Sequence, residues 1–406
     1  MIDPITIRQD FPIFDAEKNL VYLDSSATSL KPRQVIEKEA EYYKKYTANI
    51  FRGIYRLSEK ATEEYESVRQ IVAQFIGARQ PEEVVFVRNA TEAINLVASA
   101  WGKKALTAKG TLITTIIEHH ANFVPWLELA QTTGCEMKVI GLKDDGKLDE
   151  EELLKQVTEK TSLVAFTHVS NVLGTIHPVK ELTSKIKQKN PKCVVLIDGA
   201  QAVPHLHVDV NDLGCDFYVF SSHKMLGPTG VGVLWGRYEL LNNMPPYQFG
   251  GEMIEEVYWN RASYKKPPHR FEAGTPHIAG VIGLGAAIDF LNNLGMGNIR
   301  KHETEIIQYA LEVLQKINGL KLYGPVDPLN RGGLVAFTIP HIHAHDIAQV
   351  LDSDNICIRT GHHCAMPLHQ YLGIPASARA SFYIYNTFKD IDQLVNGLKK
   401  AKKLFS

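Results

Sequence analysis

Five short segments carry the side chains best able to do chemistry: Asn89-Ala90-Thr91, Glu118-His119-His120, Ser170-Asn171, Asp198-Gly199-Ala200-Gln201 and Ser221-Ser222-His223-Lys224. Each closely follows an apolar run that reads as a strand. In open α/β sheets ligands bind beyond the carboxyl ends of the strands, so these segments are expected at one rim. Lys224 is the informative member, because a lysine in partly desolvated surroundings loses its proton readily and forms a Schiff base with an aldehyde. Asp198 is a carboxylate of the type that keeps a pyridine nitrogen protonated, which makes such a ring an electron sink. The pair points to pyridoxal phosphate as cofactor. Thr91 at a helix amino terminus, with Ser221 and His223, offers hydroxyl, imidazole and N–H donors for its phosphate. His119 can stack on the ring and Gln201 can donate to its phenolic oxygen. One such residue after a strand is usually structural, but five in phase along the chain reverse that reading.

A second constellation is Arg359-Thr360-Gly361-His362-His363-Cys364-Ala365-Met366-Pro367. A cysteine in a glycine-containing loop beside an arginine and two histidines has an electropositive setting that favours the thiolate, so Cys364 reads as a nucleophile. Cys135, Cys193, Cys215 and Cys357 lie in apolar or turn sequence and read as structural. No metal site is expected. His341-Ile342-His343-Ala344-His345 runs into a helical segment at Asp346–Leu351 and reads as a loop and cap. His362-His363-Cys364 has no carboxylate or further ligand at metal spacing. Nucleotide motifs fare no better: there is no P-loop, and the glycines from Gly230 to Gly236 run into a strand-like segment rather than a helix.

These residues need a frame. Buried-strand runs at Val84–Val87, Leu112–Ile116, Leu163–Thr167, Val194–Ile197 and Phe217–Phe220 alternate with helical segments, as in a parallel sheet with crossover helices. Ile94, Val97, Ala98 and Trp101 form one apolar helical stripe just after Asn89-Ala90-Thr91. Further helices are written at Ile306–Ile317 and Ile391–Leu398, the second ending in lysines 399, 400, 402 and 403 on a solvated face. The Gly/Pro-rich stretch from Tyr247 to Phe271 breaks this rhythm and is expected at the surface. Beyond about Ile288 the pattern changes to that of a smaller α+β domain.

Composition narrows the function classes. The 406 residues hold 44 Lys and Arg against 45 Asp and Glu, a balance without the cationic excess that nucleic-acid or membrane-surface binding needs. Hydrophobic residues at 45% and charged ones at 22% are enough for a packed core. The five cysteines form no C-x-x-C pair or even framework, and no signal peptide or apolar span is visible, so a cytoplasmic protein is expected.

Along nearly the whole chain, from Tyr22-Leu23-Asp24 to the last helix, the sequence resembles the SufS-type, group II cysteine desulfurases, class-V aminotransferase-like enzymes of fold type I. The stretches that carry the resemblance are Thr91-Glu92-Ala93-Ile94-Asn95-Leu96-Val97, Glu118-His119-His120-Ala121-Asn122, His168-Val169-Ser170-Asn171-Val172-Leu173-Gly174, Asp198-Gly199-Ala200-Gln201, Ser221-Ser222-His223-Lys224, Phe271-Glu272-Ala273-Gly274-Thr275-Pro276 and Arg359–Ala365. The resemblance implies an α/β fold: a large domain over residues 22–290, with a mostly parallel seven-stranded sheet flanked by helices, and a smaller α+β domain from 1–21 and 291–406.

It also implies roles. Lys224 would hold pyridoxal phosphate and shuttle protons, with His119, Asp198 and Gln201 on the ring and Thr91, Ser221 and His223 on the phosphate. Thr275 would reach the phosphate of a neighbouring subunit, which makes the protein a homodimer with composite sites. Arg379, in Ala378-Arg379-Ala380, would pair with the substrate carboxylate, helped by Asn171, while Arg359 and His362 would line the loop around Cys364. The implied reaction takes sulfur from L-cysteine, leaving alanine and a persulfide on Cys364 for an acceptor of the SufE or SufU kind in iron–sulfur cluster assembly. Selenocysteine lyase and cysteine sulfinate desulfinase activities belong to the same superfamily, and a non-catalytic sulfur-relay scaffold is the rival outside it. One departure is visible: Phe51-Arg52-Gly53, followed by Tyr55-Arg56, stands where the family usually carries His-Arg-Gly and a histidine-containing continuation.

Overall fold

The computed structural model describes residues 2–143 and 146–405. Its centre is a seven-stranded sheet built from Val84–Val87 (β1), Thr111–Thr115 (β2), Glu136–Ile140 (β3), Thr161–Thr167 (β4), Val194–Asp198 (β5), Phe217–Ser221 (β6) and Gly232–Gly236 (β7). The strand order is β1-β7-β6-β5-β4-β2-β3, and β7 runs antiparallel to both of its neighbours while the other pairings are parallel. The five strands expected from apolar runs are present. Edge strand β3 escapes that signal because its Glu-Met-Lys-Val-Ile sequence is mostly solvated.

Alternation along the strands explains why helices cover both faces. In β4, Val164 and Phe166 join the core under the helices Arg56–Phe75 and Ile278–Leu294, whereas Leu163 and Ala165 join that beneath Ala90–Leu96 and Val124–Thr133. Each fully buried aliphatic side chain of this kind contributes about 1.5–3 kcal/mol. The helix Ile278–Leu294 is apolar almost all round because it is buried almost all round. No single helix among the described residues is long and apolar enough to cross a membrane.

A second, antiparallel sheet contains Lys321–Tyr323 (β8), Leu334–Thr338 (β9), Arg359–Gly361 (β10) and Ser377–Ser381 (β11) in the order β8-β9-β11-β10. The helices Met296–Leu314, Ala344–Asp352 and Phe388–Phe405 contribute to its core. Val21–Tyr22 pairs in parallel with Ile356–Cys357, and Asp24 bridges Ser381, so the chain's early part is laced into this sheet. The stretch Tyr247 to Phe271 is at the surface, yet it is not irregular throughout: Ile254–Tyr258 and Arg261–Tyr264 form an exposed hairpin.

Candidate active site

A cavity of about 250 Å³ opens where the large sheet's carboxyl edge meets the second sheet. Lys224, Asp198, His119 and Cys364 line it together with Arg359 and Arg379. So do Thr91, Asn171, Gln201, Ser221 and His223. Residues more than 250 positions apart in sequence thus share one small space.

The strand-to-helix turns position the first group. Asn89 caps the helix Ala90–Leu96 by accepting from Glu92 N at 2.9 Å, and Ser221 Oγ accepts from Ala90 N at 2.9 Å. β7 lies close against this turn because Gly232 lacks a side chain: a Cβ there would come within 2.5 Å of Asn89 Cα. Asp198, buried at the end of β5, accepts from Ala200 N at 2.9 Å through Oδ1. Gln201 Nε2 donates to Ser26 O at 2.7 Å.

Enclosure sets the charge states. Desolvation draws the Lys224 ammonium down to about 8, partly opposed by Asp198 and reinforced by Arg379 and Arg359. Burial raises Asp198, against the pull of the Ala200 N–H and Lys224. His119 falls to about 3 through burial and then the Lys224 charge, so its ring is neutral. Its Nδ1 accepts from Ala121 N at 3.0 Å, which leaves the proton on Nε2. His223 falls to about 4 through burial, then the charges of Lys224 and Lys31.

Arg379 is 2% exposed. Its Nη1 donates to Asn171 O at 2.9 Å and its Nη2 to Asp24 Oδ1 at 3.1 Å. Burial draws it down to about 10 while Asp24 holds it charged. Arg359 faces it across β10 and β11. Two buried donors or acceptors in this group, Arg379 Nε and His363 Nδ1, have no hydrogen-bond partner, as expected of a site built around a polar ligand.

The nucleophile loop is held on several sides. His363 and Cys364 have φ of 50° and 56°, a left-handed conformation that side chains disfavour. Asn171 Nδ2 donates to His363 O at 2.7 Å, and His120 N to Cys364 O at 2.6 Å. Met366 N donates to His120 Nε2 at 3.0 Å. His363 Nε2 lies 3.1 Å from Ser377 O. The loop is therefore tied to two of the large sheet's strand ends.

Two expected residues are not in this cavity. Thr275 is exposed and lines a separate surface pocket with Glu272 and His277. His362 turns away to meet His369 edge-on at 5.5 Å, and its neighbour His363 lines the cavity instead. Cys193 and Cys215 are buried with thiols pushed up by desolvation, and Cys135 and Cys357 are also raised by it. His343 caps the helix Ala344–Asp352. Among the described residues no group of three or more His, Cys, Asp or Glu is set to hold a metal ion. Phe51 lies outside the cavity, edge-on to His269 at 5.3 Å and to Tyr65 at 6.1 Å.

Glu118, beside His119, has a structural role that the sequence alone does not show. It is fully buried, accepts from Asn122 Nδ2 at 2.6 Å and Thr167 N at 3.1 Å, and lies 2.5 Å from Thr115 Oγ1. It anchors the loop that presents His119.

The aminotransferase class-V family profile matches residues 21–394. The chain belongs to this family. A probable cysteine desulfurase of Halalkalibacterium halodurans is 49% identical over 402 residues, with 98% of each chain covered. The cysteine desulfurase of Serratia proteamaculans is 48% identical with the same coverage. Among solved structures, the apo cysteine desulfurase of Thermococcus onnurineus NA1 matches with a TM-score of 0.94 and 40% identity over 99% of both chains.

Proposed function

We infer that this chain is a pyridoxal-phosphate-dependent cysteine desulfurase. The observation that carries the reading is the meeting of Lys224, Asp198, Arg379 and Cys364 in one enclosed cavity. Bound pyridoxal phosphate supplies the electron sink that lets an amino acid lose its Cα proton.

The residues divide the work. Lys224 would hold the cofactor and move the Cα proton, a task suited to an amine whose proton is loosely held. Asp198 would serve the ring nitrogen, His119 would stack on the ring as a neutral imidazole, and Gln201 would serve the phenolic oxygen. Ser221, His223 and the helix start at Thr91 would take the phosphate. Arg379, oriented by Asn171 O and Asp24, takes the substrate carboxylate with Arg359 beside it. The Cys364 thiolate attacks the sulfur of the substrate: an S–S bond forms, the C–S bond breaks, and its electron pair with a proton completes alanine. The sulfur stays on Cys364 as a persulfide.

The remainder of the reading extends past one chain. We assign the division at residues 22–290 against 1–21 with 291–406, and a cytoplasmic homodimer in which Thr275 of each subunit completes the other's phosphate site. His362 belongs to the outer wall of the Cys364 loop. The persulfide passes to a SufE- or SufU-like acceptor for iron–sulfur cluster assembly, with neither nucleic acid nor membrane as partner. The Lys224→Ala variant tests the core of this. Borohydride reduction, which fixes a cofactor Schiff base to the chain, should leave no cofactor on this variant, and it should release no alanine from L-cysteine; alanine formation at the unmodified rate would refute the assignment.

A further inference from the structure

The turn that carries Lys224 is gripped by residues 25–31, of which Ser26 also lines the cavity and accepts from Gln201. The carbonyl of His223, adjacent to Lys224, is approached by four donors: Ser29 N at 3.0 Å, Thr28 Oγ1 at 3.0 Å, Ser29 Oγ at 3.1 Å and Lys31 Nζ at 2.9 Å. A carbonyl oxygen has two lone pairs, so this one is over-supplied. Ser29 Oγ also accepts from Leu226 N at 2.8 Å, which clamps the chain on the far side of Lys224. Lys31 Nζ closes the arrangement by donating to Ser29 O at 2.6 Å.

The same segment reaches the substrate side. Ser26 N donates to Ser381 Oγ at 2.9 Å, Ser25 Oγ meets Tyr385 OH at 2.7 Å, and Leu30 N donates to that hydroxyl at 3.2 Å. Ser381 lies in β11, two residues from Arg379. Residues 25–31 thus join the lysine turn to the strand that carries the carboxylate-binding arginine.

We propose that Lys31 is a positioning residue for Lys224, locking the His223 carbonyl so that the lysine is held at a fixed place relative to Asp198 and Arg379. This rests on the reading of Lys224 as the cofactor lysine. Lys31 is drawn down to about 7 by desolvation, with Glu39 of the helix Arg33–Lys45 opposing, and His223 feels its charge. Lys224 is itself faced by Asp198, Arg379, Arg359 and Cys364, and its charge reaches His119.

Two variants of the full-length holoenzyme test the proposal, Lys31→Met and Ser29→Ala, the second standing in should the first fail to fold. Both kcat and KM for L-cysteine are measured, with the visible absorbance of bound pyridoxal phosphate recorded to show that each variant still holds the cofactor. In both variants kcat should fall about tenfold or more with KM changed less than about threefold. Values of kcat equal to those of the unmodified enzyme would overturn the role of Lys31. Lys224→Ala, run in parallel, separates the two claims: if borohydride reduction still fixes the cofactor to the chain of that variant, the reading of Lys224 falls and the Lys31 proposal with it.

Discussion

Replacing Asn171 with alanine should free the nucleophile loop while leaving Arg379, the main anchor of the substrate carboxylate, in place. Two consecutive non-glycine residues, His363 and Cys364, sit at positive φ, at a cost of about 1–2 kcal/mol each. The hydrogen bonds from Asn171 Nδ2 to His363 O, from His120 N to Cys364 O and from Met366 N to His120 Nε2 offset that cost. Each contributes about 0.5–1.5 kcal/mol net, and a buried carbonyl left unpaired costs about 1–3 kcal/mol. Strain and tethers are therefore of similar size, and removing one tether tips the balance. A loss of about 1.4–2.8 kcal/mol corresponds to a 10- to 100-fold larger open population. The backbone O of Asn171 still accepts from Arg379 Nη1 in the variant, so the carboxylate site is kept. Hydrogen exchange followed by mass spectrometry should show residues 361–366 exchanging about 10- to 100-fold faster. Steady-state assay should show kcat down about tenfold, with KM for L-cysteine raised by less than that. Unchanged exchange in this segment would refute the tether argument, and a KM effect without a kcat effect would show that Asn171 acts on substrate instead.

Three other outcomes follow from the charge states. Lys224 becomes nucleophilic as it loses its proton, so the rate at which apo-protein takes up pyridoxal phosphate should climb through about pH 8 and level off above it, as followed by absorbance. Glu118 is raised by burial to about 8 in the folded protein, so between its unfolded value and pH 8 the folded state binds more protons. Its stabilising contribution is then complete below the unfolded value and lost as pH rises, with a slope approaching about 1.4 kcal/mol per pH unit that Glu118→Gln should remove in denaturant titrations of the apo-protein. Arg379→Lys loses the fork that Asn171 O and Asp24 orient and should raise KM for L-cysteine about tenfold or more; an unchanged KM would exclude Arg379 from carboxylate binding.

The rim residues were legible because each follows a buried strand written as a continuous apolar run, and strand ends place side chains by simple geometry. Lys224, Asp198 and His119 are of this kind. Edge strand β3 was missed because a solvated edge carries no apolar run. The choice between His362 and His363 was beyond the sequence, since two adjacent imidazoles exchange places with a small change in φ, and only the contacts to Ser377 and His369 decide which turns inward. The roles of Asp24, Lys31 and Glu118 were hidden for a different reason. Their partners at Arg379, His223 and Thr167 lie 49 to 355 positions away along the chain, and nothing local marks such a pairing.

The central claim is that Cys364 receives the sulfur of L-cysteine. Holoenzyme mixed briefly with one equivalent of L-cysteine, quenched with an alkylating agent and digested, should yield a Cys364 peptide heavier by one sulfur atom, with alanine formed in equal amount. The Cys364→Ala protein should give neither. Alanine released at the unmodified rate by Cys364→Ala, or added sulfur found on another cysteine, would contradict the account.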